Sequence, residues 1–232
     1  MTTQGEGDRR QRKIVLDDEI RACRLCEDMN EEGVTQAAPG WGNLDSPVAI
    51  VGQSLCDQCM KPQEPFYGGS GSLLNESFKQ ADCKKSDLFI TNAVHCHPRG
   101  NRPSHTHEIV NCSPYVYREL ELVRPRLVIG LGGDAERVLS FLYPTARKIS
   151  PRFAAPRNLR SRTVPCVFLT EHPSWIKRKH NAALATEYVN SLSEALRWAI
   201  AKGPLRNQPV PQGKPTCEGM VPVAGDKHRR NL

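Results

Sequence analysis

The residues best suited to chemistry are the cysteines. Cys23-Arg-Leu-Cys26 places two thiols at chelating spacing, and Cys96 and Cys112 downstream bring the set to four. Four thiolates satisfy either a tetrahedral zinc ion or a cubic iron–sulfur cluster, and spacing alone favours zinc. A second C-x-x-C, Cys56-Asp-Gln-Cys59, leaves three alternatives open. It joins Cys23 and Cys26 in a zinc ribbon, it is a redox dithiol, or its two cysteines are unrelated. Cys83, Cys166 and Cys217 stand outside either pattern. A different chemistry is implied by Arg147, Lys148, Arg152, Arg157, Arg160 and Arg162, continued by Lys177, Arg178 and Lys179 with few acids between. Such a run suits phosphate, the dominant contact in DNA affinity.

The whole chain agrees with a polyanionic partner: its 232 residues carry a formal net charge of +7 and a pI near 9.0. No apolar run approaches the ~18–20 residues that span a bilayer, and the amino terminus MTTQGEGDRRQRK has no apolar signal region. A cytoplasmic, membrane-free protein is expected. There thiols stay reduced, and an odd count of nine cysteines does not suit a disulfide framework.

These residues need elements to position them. Residues 1–12 read as a disordered tail, residues 13–202 as one domain, and residues 203–232 as a second disordered tail. A short helix runs from about Lys13 to near Cys26. Val48–Val51 is an apolar run stopped by Gly52, a buried strand feeding the loop that reaches Pro65-Phe66-Tyr67-Gly68-Gly69. In open α/β sheets ligands bind at such carboxyl ends. Helices are expected over Ser72–Gln80, Glu108–Val123, Ala135–Leu142 and Asn181–Ala201, and strands over Asp87–Asn92, Arg126–Gly130 and Val164–Leu169. The alternation implies a parallel sheet with helices on both faces. Leu131-Gly132-Gly133 is a tight strand-to-helix turn, since the full dinucleotide fingerprint is incomplete.

The order of motifs is more specific than any one of them. C-x-x-C, the G-Q-S loop with P-F-Y-G-G-S-G, I-T-N-A-V-x-C-x-P-x-x-N-R-P, a further Cys, R-P-x-L-V-I-G-L-G and H-P-S together resemble the uracil-DNA glycosylase superfamily. The iron–sulfur branch, family 4, is the most similar, over roughly Cys23 to Asn190. The resemblance implies a three-layer α/β/α fold around a central four-stranded parallel sheet. It also implies a [4Fe-4S] cluster on Cys23, Cys26, Cys96 and Cys112, and a monomer acting on DNA that contains uracil or a deaminated base. By the same resemblance Phe66 stacks on the flipped base, Asn92 reads its edge, His172 stabilises charge on the departing base, and Ser174 bonds phosphate. Arg157, Arg160, Arg162, Lys177, Arg178 and Lys179 then form the DNA face.

The first motif departs from the branch. Where the branch carries G-E-x-P-G, this chain has Gly52-Gln53-Ser54-Leu55-Cys56. Gln53 cannot act as a general base, although it matches the glutamine of the G-Q-D-P-Y motif in another branch. Ser54 stands where that branch has its aspartate, and both are expected to line the substrate pocket. Asp57 is the nearby carboxylate, expected to position water, with Gln53 and His172 completing the catalytic set. Loss of the usual carboxylates also leaves a second reading, a damaged-DNA-binding protein of the same fold with little or no excision.

Overall fold

Each apolar run read as a strand is buried on both faces, which requires a sheet covered by helices on either side. The computed structural model describes residues 3–156, 164–203 and 211–215. In chain order its elements are α1 (Thr3–Ala22), β1 (Trp41–Gly42), β2 (Val48–Ser54), α2 (Asp57–Met60), α3 (Gly71–Gln80), β3 (Phe89–Val94), α4 (Thr106–Val123), β4 (Leu127–Leu131), α5 (Gly133–Leu142), β5 (Lys148–Ile149), β6 (Cys166–Thr170), α6 (Pro173–Arg178) and α7 (Ala182–Lys202).

The strands lie in the order β1-β3-β2-β4-β6-β5. The four parallel strands expected, β3, β2, β4 and β6, are its centre; two-residue β1, antiparallel to β3, and two-residue β5 extend the edges. Alternation along the strands divides the core into two layers. Ala49, Val51, Val128 and Val167 face Leu16 and Ile20 of α1, Val116 and Leu120 of α4, and Val138 of α5. Val48, Ile50, Ile129 and Phe168 face Leu74 and Phe78 of α3 and Leu192 and Leu196 of α7. The chain leaves β2 for β3 on one side and returns to β4 on the other. The carboxyl ends of β2 and β4 therefore flank the switch point where such sheets hold ligands.

Two boundaries differ from the sequence expectation. The first helix begins at Thr3 instead of near Lys13, inside the stretch expected to be a disordered tail. That stretch has no apolar stripe, and its helix is held by side chains: Arg9 pairs with Asp45, and Arg12 Nη2 meets Glu121 Oε2 of α4 at 3.3 Å. At the other end, residues 211–215 are described, although most of the expected 203–232 tail, Cys217 included, is outside the described residues. There the Gln212 and Gly213 N–H groups donate to the Leu142 carbonyl that ends α5, at 2.9 and 3.2 Å.

The helix that carries Cys112 also carries Pro114. Proline cannot donate to the carbonyl four residues back. The Ser113 hydroxyl donates to that carbonyl instead, Val110 O, at 2.8 Å, so α4 continues to Val123.

Candidate active site

The site is built from the carboxyl ends of four strands, β2, β3, β4 and β6. β2 and β3 run in register, with Gly52 opposite Asn92. A Cβ at Gly52 would stand 2.4 Å from Asn92 Oδ1 and 2.8 Å from Phe66 Cζ, so amide and ring meet over bare backbone. Asn92 is buried; Phe66 is buried as well, in the left-handed region at φ 53°. A side chain held there costs about 1–3 kcal/mol, the kind of strain that surrounding structure holds at functional sites. Beyond β6 the chain turns into His172, whose ring centroid lies 5.9 Å from that of Phe66 at a 35° tilt. Gly132, after β4, makes room for it: its φ is +88°, and a Cβ there would be 3.1 Å from His172 Cβ.

His172 is the N-cap of α6, and this cap defines its chemistry. The Ser174 backbone N–H donates to His172 Nδ1 at 3.2 Å, and the Ser174 hydroxyl stands 2.7 Å from the same nitrogen. A ring nitrogen that accepts an N–H carries no proton, so the neutral ring keeps its proton on Nε2. Burial, and then the Arg178 guanidinium, push the imidazole down to about 4. Arg178 Nη1 reaches the Ser174 hydroxyl at 3.4 Å. Near neutral pH His172 is thus an uncharged donor at Nε2, oriented by Ser174.

Other predicted site residues are distributed unevenly. Gln53 and Ser54 are half-buried at the end of β2, while Asp57 is exposed on α2. Ser174 spends its hydroxyl on His172. Lys177 Nζ donates to Gly69 O at 2.9 Å and reaches Ser72 Oγ at 3.2 Å, fastening α6 to the loop after Phe66. Lys179 sits 4.6 Å over the Trp175 ring. Arg157, Arg160 and Arg162 lie outside the described residues.

The four cysteines with ligand spacing converge on the opposite layer. Cys96 and Cys112 are buried, Cys23 and Cys26 half-buried. Burial first, then the neighbouring Cys112, Cys23 and Cys26, pushes the Cys96 thiol far above its ordinary value. The Cys26 thiol is raised by burial and by Cys112 and Cys23, against a hydrogen bond from Asn111 Nδ2 at 3.3 Å. Among the described residues no three His, Cys, Asp or Glu side chains stand close enough to hold one metal ion. The thiols are gathered within electrostatic reach of one another without being drawn to a single point.

Of the three alternatives left open for Cys56 and Cys59, the structure matches the redox-dithiol one in its oxidised form. They are joined in a disulfide, because one turn of α2 brings their Cα atoms to 5.0 Å, inside bonding range. The bond is local, a cross-linked turn instead of a framework.

The sequence profile described as the uracil DNA glycosylase superfamily matches residues 39–197. The chain belongs to the uracil-DNA glycosylase superfamily. It is 35% identical to a type-4 uracil-DNA glycosylase of Archaeoglobus fulgidus over 132 residues, 55% of this chain and 65% of that one. With a type-4 uracil-DNA glycosylase of Thermotoga maritima it shares 26% identity over 190 residues, covering 82% of this chain and 95% of the relative. A type-4 uracil-DNA glycosylase of Pyrobaculum aerophilum is 30% identical over 159 residues, 68% of this chain and 80% of the relative. The match to the Archaeoglobus protein thus spans just under two thirds of its length.

Sequence reasoning missed a buried polar network that this superfamily member builds beneath the cysteines. Glu119 accepts from Thr91 Oγ1 at 2.5 Å and from the Gly40 N–H at 2.6 Å, and its Oε2 lies 3.2 Å from His95 Nε2. Burial opposes charge on His95, but the Glu119 carboxylate, with Cys112 beside the ring, outweighs it and holds the imidazole protonated. The same pair, with Lys13 and Thr91, keeps Glu119 ionised against its own burial. The available signal was a glutamate on the apolar face of an amphipathic helix, one residue before Leu120. Asn111 was legible too, as an amide beside Cys112.

Proposed function

We propose that this chain is a DNA glycosylase of base excision repair, hydrolysing the N-glycosidic bond of uracil or another deaminated base in DNA. The observation that carries the reading is the meeting of Phe66, Asn92 and the Nε2-protonated His172 at the switch point. An extruded base needs a planar apolar face to stack on, an amide to read its edge, and a donor where charge develops. Phe66 supplies the face. Asn92 offers donor and acceptor together to the uracil edge.

As the bond to the sugar breaks, its electron pair leaves with the base. His172 Nε2–H stabilises the negative charge on the base oxygen without having to be a cation. Water captures the sugar cation; Gln53, half-buried at the rim, holds that water by its amide, and Asp57 takes the released proton. Ser174 orients His172. Lys177, Arg178 and Lys179, exposed on α6 and just beyond it, face the DNA backbone, with Arg157, Arg160 and Arg162 proposed beside them. In this reading the chain works as a monomer in the cytosol. Among the described residues no helix is long and apolar enough to cross a membrane.

Cys23, Cys26, Cys96 and Cys112 would hold a [4Fe-4S] cluster. The four cysteine side chains, brought within electrostatic reach of one another from three segments of the chain, are the thiolate donor set that such a cluster takes. Bound there, the cluster supplies a cross-link between the loop after α1, the loop after β3 and α4.

Incubation with single- and double-stranded DNA carrying uracil, hypoxanthine or xanthine, then alkaline cleavage, tests the reading. A strand break at the modified base is expected. Binding without a break would leave the damaged-DNA-binding reading in its place.

A further inference from the structure

The Cys56–Cys59 bond occupies the rim of the proposed base pocket, and nothing in the proposed chemistry uses it. Cys59 is buried with Ala38, Leu55 and Met60, while Cys56 is half-exposed. The Tyr67 N–H donates to Cys59 Sγ at 3.4 Å. One sulfur of the bond is therefore the acceptor for the residue next to Phe66, and the other belongs to Cys56, the less buried of the two residues.

The cross-link also does what the turn cannot do for itself. α2 has only four residues, far below the length at which a helix is stable alone. Cys56 is its N-cap and makes no side-chain capping hydrogen bond. Without the sulfur–sulfur bond the turn rests on its backbone bonds and the small cluster around Leu55. If it frays, Cys59 Sγ withdraws from Tyr67 N–H, and Phe66 loses a support for its left-handed backbone. Leu55 gives the turn a fixed base: its N–H donates to Cys96 O at 3.3 Å, and its carbonyl lies 3.0 Å from His97 Nδ1.

We propose that Cys56 and Cys59 are a reversible dithiol–disulfide couple, exchanging with a partner dithiol, whose oxidised form locks the Phe66–Tyr67 loop for base stacking. In the reductive direction a thiolate of the partner dithiol attacks Cys56 Sγ, on the less buried of the two residues. The Cys56–Cys59 bond breaks, its electron pair goes to Cys59 Sγ, and that sulfur takes a proton. The partner's second thiol then attacks the mixed disulfide and releases Cys56 as a thiol. Two electrons and two protons pass to the protein, and the partner leaves as a disulfide. Deepening the glycosylase reading, the inference rests on it only for the effect on excision.

The test uses the full chain, purified anaerobically and equilibrated in dithiothreitol buffers from fully reduced to fully oxidised. Alkylation under acid quench with peptide mass mapping counts free thiols at Cys56 and Cys59, hydrogen–deuterium exchange follows residues 66–71, and excision of uracil from DNA is timed in parallel. We expect both cysteines to pass together from unlabelled to labelled. With them the Tyr67 amide should exchange about fivefold faster, the equilibrium worth of one modest hydrogen bond, and excision should slow. The Cys56→Ser, Cys59→Ser double variant should show the reduced behaviour in every buffer, and Cys83→Ser should behave as the parent. Labelling of both cysteines in all buffers, or equal exchange of the loop in both states, would overturn the inference. Exchange that responds while no buffer yields excision would uphold the couple and remove the glycosylase reading.

Discussion

At the scale of single residues, the decisive property is the charge state of His172. Its depressed value means that the neutral, Nε2-protonated ring persists well below the ordinary histidine range. The excision rate should therefore stay flat as pH falls through 6.5, the ordinary value, and show its acid limb near 4. A limb centred at the ordinary value would show that burial and Arg178 do not act as described. Stability follows the same logic with its own sign. The unfolded chain binds a proton at this ring between the two values and the folded chain does not. Its contribution is thus complete above pH 6.5 and is lost as pH falls toward 4. Replacing His172 with Ala removes one donor to the departing base, and excision should fall about 10²–10³-fold, with uracil-DNA binding changing much less. A single-turnover rate within a few-fold of the parent would take His172 out of the mechanism. Arg178→Gln removes a cation beside the ring, so the acid limb should move upward, while a limb left in place would deny the coupling.

At the scale of elements, the pocket depends on backbone brought close by strand register. Gly52→Ala puts a methyl group against both Asn92 Oδ1 and Phe66 Cζ. Overpacking of this kind costs roughly 1–3 kcal/mol, and because the methyl displaces the two base-recognising groups, binding of uracil-DNA should weaken more than melting temperature falls. Equal affinity in the Ala variant would mean that Gly52 is merely permissive. The strands and long helices were legible because their apolar periodicity is strong: α7 was read as Asn181–Ala201 and runs Ala182–Lys202. So was the meeting of Phe66, Asn92 and His172, through motif order. What was not legible depends on contacts between distant segments. Helix α1 reaches back to Thr3 through Arg9–Asp45 and Arg12–Glu121, pairs that no local pattern reveals. The Glu119–His95–Thr91 network is invisible until α4 lies on β3. Ser174 was read as a phosphate ligand from the H-P-S motif, and no motif reveals the further contact that the cap geometry gives it, its hydroxyl 2.7 Å from His172 Nδ1. Compartment argued against a disulfide framework and left the Cys56–Cys59 pair undecided among three alternatives, because C-x-x-C spacing serves zinc and a redox dithiol alike.

At the scale of the whole molecule, a net charge of +7 is distributed so that α6 presents a basic corner beside the pocket. Lys177 and Arg178 are tied to Gly69 and Ser174, so removing either would disturb the pocket as well as the field. Lys179 offers the cleaner test. It rests over Trp175, contacts no proposed catalytic group, and is exposed. If it neutralises one phosphate, Lys179→Gln should lower the slope of log affinity against log salt by ~0.9 on duplex DNA. The same variant should weaken uracil-containing and undamaged duplexes by the same factor, because a phosphate contact carries no base information. An unchanged slope would move the DNA track off this corner and toward another part of the basic surface. A slope that fell for the uracil-containing duplex alone would instead mean that Lys179 is engaged only after the base has left the stack. In that case the corner would be part of the extrusion step, and the initial electrostatic capture would belong to other cations of the chain.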